Sequence, residues 1–220
     1  MKVLSLVAAA TLIAGCEVNL NTEGLSAREV KNFTVTGQPE LVLDTFDGAI
    51  RAEAIEGKII LRTSDGSVVA SRLGGDVQIR SGDGSIRIDN STGSLDLETD
   101  DGSIGVDAKP SVLRLKTGDG SVRVTVAPET VMTDNWDITT SDGSIVVTLP
   151  NLFSADLDVE TSDGVVRTNH PLLEGDRDGR RDGEGSDERR ERRRTLRSKM
   201  GDGGKLLKVR SGDGTIRIDS

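Results

Sequence analysis

Eight aspartates, Asp47, Asp65, Asp83, Asp101, Asp119, Asp142, Asp163 and Asp213, each stand directly before a glycine: Gly48, Gly66, Gly84, Gly102, Gly120, Gly143, Gly164 and Gly214. Carboxylates are hard oxygen ligands, so a row of them could hold Ca²⁺. Calcium-binding nonapeptide repeats, however, use a Gly-Gly-x-Gly-x-Asp spacing that is missing here. Asp-Gly equally suits a tight corner, where Gly accepts positive φ and Asp bonds nearby backbone amides. The expectation is a structural turn at each pair, with no metal and no cofactor. His170, the single histidine, stands beside Pro171 and reads as a loop residue. No nucleophile, base and orienter stand out together, and no Gly-rich phosphate loop leads into a helix, so the sequence reads as non-enzymatic.

The elements that position these aspartates are read from their spacing. The first five anchors are 18 residues apart, and the later steps are 23, 21 and 50. A fixed period of this length marks a repeat architecture in which each unit stacks on the next. Six residues before each Asp stand Leu41, Ile59, Val77, Leu95, Leu113, Trp136, Leu157 and Leu207; four before stand Leu43, Leu61, Ile79, Leu97, Leu115, Ile138, Val159 and Val209. Three after come Ile50, Val68, Ile86, Ile104, Val122, Ile145, Val166 and Ile216. Apolar residues two apart on both sides of Asp-Gly predict two short strands, each with one buried face. Gly57, Gly75 and Gly93 mark a second corner.

The fold this predicts is all-β, a parallel β-solenoid (β-helix) of about eight 18-residue coils with two strands per coil. An antiparallel meander with Asp-Gly hairpins would pair the same columns. Near-identical units favour parallel stacking, which sets like residue on like. With Phe 3, Trp 1 and Tyr 0, the interior is expected to be too thin for rings. Stacked about 4.8 Å apart, neighbouring anchor aspartates would repel by roughly 1 kcal/mol in water.

At the N-terminus, Lys2 and an apolar run from Val3 to Ala14 lead into Ile13-Ala14-Gly15-Cys16. Residues 1–15 read as a secretory leader, too short to span a bilayer. The Ile-Ala-Gly-Cys stretch resembles the lipobox of bacterial lipoproteins, which implies that Cys16, the only cysteine, becomes a lipidated N-terminus and the membrane contact. Residues 16–30 read as a tether and Val30–Thr36 as a lead-in strand. Glu17 after the Cys leans towards the outer membrane where two membranes exist.

Residues 31–170 hold the first seven units, with longer surface loops expected at Val126–Asn135 and Pro150–Phe153. Residues 171–203 break the pattern with Asp187-Glu188-Arg189-Arg190-Glu191-Arg192-Arg193-Arg194. Such a segment buries too little to order itself, or forms a solvated helix capped by Ser186 and ended by Gly201. Its acids nearly cancel its bases, and the net charge is −9, so nucleic acid is not an expected partner. Residues 204–220 form the last unit. No capping segment follows it, so the sequence predicts an open strand edge there, covered by the insertion or by self-association.

The repeated Asp-Gly-Ser-Ile-x-Ile, as in Asp83-Gly84-Ser85-Ile86-Arg87-Ile88 and Asp213-Gly214-Thr215-Ile216-Arg217-Ile218, resembles the DUF4097-like family of adhesin-named bacterial envelope proteins. The resemblance implies a β-helix domain over about residues 30–220 and a cell-envelope setting. The partner implied is an unidentified envelope protein or glycan. A glycan-binding or carbohydrate-active β-helix is the alternative.

Overall fold

The computed structural model describes residues 6–8, 40–174 and 194–220. The first strands are β1 (Leu6–Ala8), β2 (Glu40–Thr45), β3 (Ile50–Glu53), β4 (Glu56–Thr63), β5 (Val68–Ser71), β6 (Gly74–Ser81), β7 (Ile86–Thr99) and β8 (Ile104–Thr117). They are followed by β9 (Val122–Val126), β10 (Trp136–Thr140), β11 (Ile145–Thr148), β12 (Ala155–Thr161) and β13 (Val166–Thr168). After a helical turn, α1 (Pro171–Glu174), come β14 (Thr195–Met200), β15 (Leu206–Ser211) and β16 (Ile216–Asp219).

The fold is all-β and mostly parallel. Strands preceding the Asp-Gly corners form one ladder, β2-β4-β6-β7-β8-β10-β15-β12. Strands following them form a second, β3-β5-β7-β8-β9-β11-β16-β13. Pairing sets each repeat column in register: Leu41 lies across from Ile59, Ile59 from Val77, Val77 from Leu95 and Leu95 from Leu113. Parallel pairing throughout these ladders rules out the meander. Because the side-chain period of a strand is two, this register sends every column residue inward. Ile59, Leu61, Ile79, Leu95, Leu97, Leu113 and Leu115 are accordingly buried in one continuous core.

Three expectations are corrected. The last unit does not lie at the end: β15 pairs with both β10 and β12, and β16 with both β11 and β13. The Asp213 rung is thus inserted between the Asp142 and Asp163 rungs, and both its edges are taken. The end of the first ladder is β12, covered by β14 running antiparallel to it from Ala155/Met200 to Glu160/Thr195. Second, the end of the charged insertion is this strand and not a helix ending at Gly201. Ser186 lies outside the described residues, as do the tether and the lead-in strand at Val30–Thr36. Third, the interior does admit rings. Trp136 and Phe153 are buried with centroids 5.5 Å apart, and Trp136 Nε1 donates to Ser111 O at 3.2 Å. Trp136 opens β10 directly after the first longer connection and Phe153 lies in the second, and Met132 of the first connection is buried with them in the core.

Leu6–Ala8, inside the stretch read as a leader, runs antiparallel along β2.

Candidate functional site

The repeated corner is held by a residue that the Asp-Gly reading passed over. Two positions before each Asp stands Thr45, Thr63, Ser81, Thr99, Thr117, Thr140, Thr161 or Ser211. From Thr63 onward these hydroxyls are buried. Each donates to the carbonyl of the Asp-Gly glycine on the neighbouring rung: Thr99 to Gly84 at 3.0 Å, Thr117 to Gly102 at 2.8 Å, Thr140 to Gly120 at 2.9 Å, Ser211 to Gly143 at 2.9 Å and Thr161 to Gly214 at 2.9 Å. The oxygens of Thr63, Thr99, Thr140, Thr161 and Ser211 also accept from the glycine N–H of their own corner, as Thr140 does from Gly143 at 3.2 Å and Ser211 from Gly214 at 3.0 Å. A column of hydroxyls therefore ties corner to corner along the stack and closes five of the corners on themselves. The signal was present in the sequence as an invariable Ser or Thr at that position among apolar columns.

This column gives a first prediction. Thr140→Val keeps the shape but leaves the Gly143 N–H and Gly120 carbonyl without their buried partner. An unsatisfied buried polar group costs about 1–3 kcal/mol. Urea denaturation should show a loss in that range; an unchanged midpoint would mean the hydroxyl column contributes nothing.

The glycines of the Asp-Gly pairs do not have positive φ, which is found instead at Gly57, Gly75 and Gly93 of the second corner. The need for glycine at the first corner comes from close approach. A Cβ on Gly66, Gly84, Gly102 or Gly120 would lie 2.2, 2.1, 2.3 or 2.0 Å from the carbonyl oxygen of the preceding rung's glycine. On Gly143, Gly214 and Gly164 the distance would be 1.9 Å each.

The eight anchor carboxylates are exposed along one corner of the stack. Loss of solvent, the charges of Asp47 and Asp83 on the flanking rungs, and a hydrogen bond with Asp47 together raise the Asp65 pKa above its ordinary value. Among the described residues no cluster of three His, Cys, Asp or Glu side chains is arranged to hold a metal ion. Cys16 lies outside the described residues. His170 is buried at the turn before α1: its Nδ1 accepts from Leu172 N at 3.3 Å, so Nε2 carries the proton and donates to Pro150 O at 3.2 Å. It fastens two loops together.

The outward face of the first ladder is a lattice of ion pairs between rungs. Arg80 reaches both Asp96 and Glu98 at 3.0 Å, and Lys116 reaches Glu98 at 2.8 Å. Near the other end Arg210 meets Asp158 at 2.6 Å and Glu160 at 3.5 Å, while Lys208 meets Asp137 at 3.0 Å. Hydrogen bonds from Arg210 and then Arg197 hold the Asp158 carboxyl below the usual carboxylate range, against partial burial. The Arg80 and Arg210 interfaces are copies of each other. Val77-Gln78-Ile79-Arg80-Ser81-Gly82-Asp83 facing Asp96-Leu97-Glu98-Thr99 is matched by Leu207-Lys208-Val209-Arg210-Ser211-Gly212-Asp213 facing Asp158-Val159-Glu160-Thr161. That charge pattern is the sequence signal for the displaced last rung.

On the second ladder, a shallow depression of about 260 Å³ is lined by Arg167, Thr168, Asn169, Arg217 and Asp219.

In-register parallel rungs, an aliphatic interior and a hydroxyl column through the corners define a β-solenoid-like repeat protein. The family model of Toastrack DUF4097 matches residues 32–219, and the chain belongs to that family. No curated protein and no solved structure matches it.

Proposed function

We propose that this chain is a non-enzymatic, lipid-anchored β-solenoid of eight rungs in the bacterial cell envelope, presenting its long faces for adhesin-like binding or for scaffolding. The observation that carries this reading is the uniformity of the outward rows. Charged side chains recur along the stack, between neighbouring rungs on the first ladder and on alternate rungs for most of the second, with rungs about 4.8 Å apart; this makes an extended surface and not a converging set of reactive groups. On the first ladder those charges neutralise one another between rungs. The anchor carboxylates and the outer row of the second ladder remain turned to solvent as the presented surface. Attachment through Cys16 would leave the tether up to residue 30 between lipid and solenoid and would remove β1 from the edge of β2. The reading of Glu17 favours the outer membrane where there are two. A glycan-binding role is the second reading, favoured by the small polar depression at Arg167 and Arg217.

The test is fractionation of cells expressing Cys16→Ala beside the native chain. Loss of the variant from the membrane fraction supports the anchor; retention there removes it. Trypsin applied to intact cells then decides the orientation, through the arginines between 177 and 199. Cutting in intact cells supports adhesion, and cutting only after permeabilisation removes adhesion and leaves envelope scaffolding.

A further inference from the structure

Four residues after each Asp, the outward row of the second ladder reads, in spatial order, Arg51, Val69, Arg87, Gly105, Arg123, Val146, Arg217 and Arg167. Cations alternate with uncharged residues along the whole row until the final step, where Arg167 stands directly across from Arg217. Neighbouring strands lie about 4.8 Å apart, and like charges directly opposite destabilise a sheet. The other directly opposed arginines, Arg62 and Arg80, are neutralised: Arg62 lies 3.6 Å from Asp44, and Arg80 lies 3.0 Å from Asp96 and Glu98. Arg217 has Asp219 at 2.6 Å, but Arg167 makes no ion pair among the described residues.

This one break in the alternation coincides with the 260 Å³ depression, whose other walls are Thr168, Asn169 and the carboxylate of Asp219. The Thr168 hydroxyl oxygen accepts the His170 N–H at 3.3 Å, which leaves its own proton to donate outward. Arg167, Arg217 and Asp219 together carry a net charge of +1. The guanidinium fork of Arg167, unpaired among the described residues, the terminal N–H groups of Arg217 whose Nε is held by Asp219, a hydroxyl and an amide around one surplus positive charge match an oxyanion that bears a single negative charge. The volume is below the roughly 300–1,000 Å³ of pockets for drug-sized ligands, so it suits one charged group of a larger polymer.

We propose that Arg167, Arg217, Thr168 and Asn169 form a binding site for a monoanionic oxyanion group, the carboxylate of an acidic sugar or the phosphodiester of a polyol-phosphate chain. The site stands on its own geometry; only the source of the anion rests on the envelope reading, and fractionation of Cys16→Ala can fail without touching it.

The experiment follows the arginine Nε–H signals of the full chain by NMR at constant ionic strength. Sodium glucuronate and dimethyl phosphate are titrated separately, with glucose and sodium chloride as controls. Saturable shifts at Arg167 and Arg217, absent at the isolated Arg51 and Arg123, support the site. Whichever anion saturates names the source, and both saturating leaves the shared oxyanion chemistry. Arg167→Val restores the alternation seen at Val69 and Val146, so this variant should melt no lower than the native chain while apparent affinity falls at least tenfold. Equal shifts at Arg51 and Arg123, shifts reproduced by chloride, saturation by neither anion, or unchanged affinity in Arg167→Val would each overturn the proposal.

Discussion

Gly120→Ala is expected to destabilise the chain by at least about 3 kcal/mol, towards the severe end of single substitutions, and to lower Tm by roughly 6–12 °C for a chain of this size. The added methyl would lie 2.0 Å from the Gly102 carbonyl oxygen and 2.5 Å from its carbon. Both atoms are backbone, fixed by the ladder and by the Thr117 hydroxyl at 2.8 Å, so no flexible side chain can move aside. Relief requires two rungs to separate, which stretches hydrogen bonds on both faces of the stack. Gly105→Ala is the control: Gly105 lies within β8, the strand that leads to the Gly120 corner, and a Cβ there meets nothing within 4 Å. Reducing unfolded-chain entropy at such a position stabilises by about 0.4–1 kcal/mol. Thermal melts of the two variants should therefore move in opposite directions. Equal destabilisation would mean that general strand propensity, and not the close approach of rungs, dictates glycine at the corner.

The contrast between these two glycines shows what the sequence could and could not reveal. Apolar columns such as Ile59, Val77 and Leu95 fix the inward face and the 18-residue register, because a one-residue slip would turn all of them outward. Conformation at the corner was harder. Asp-Gly has a turn reading through positive φ, whereas glycine here answers a contact with another rung, which no local pattern contains. The hydroxyls at Thr99, Thr117 and Thr140 were hidden for a related reason: Thr at a strand end reads as ordinary strand composition until the neighbouring carbonyl is in place. Spatial order was hardest, since units this alike can stack in many sequences. What distinguishes them is charge across the rungs. Chain order would set Asp158 across from Asp137. The observed order puts Lys208 between them and Arg210 beside Glu160.

That interleaving determines the outcome of ending the chain after Gly204. In a stack built in chain order, removing the last unit would trim a free end and leave the Asp163 unit seated on the Asp142 unit. Here it removes the rung through which β12 and β13 reach the rest of the molecule. Leu207, Val209, Ile216 and Ile218 are all fully buried, and at about 1.5–3 kcal/mol for each buried side chain their loss approaches the whole 5–15 kcal/mol stability of a typical domain. Closing residues 155–161 onto β10 would set the Asp158 carboxylate, held then by Arg197 alone, against Asp137 without the Lys208 and Arg210 that now stand between them, and like charges directly opposite destabilise a sheet. Stability in a stacked repeat is largely a sum of nearest-neighbour interfaces, so the damage should be local. Hydrogen exchange of the truncated chain is expected to lose protection at residues 155–168, while residues 59–115 keep theirs. Retained protection at 155–168 would show that the Asp163 rung docks directly on the Asp142 rung, and that the charge pattern does not set the order of the stack.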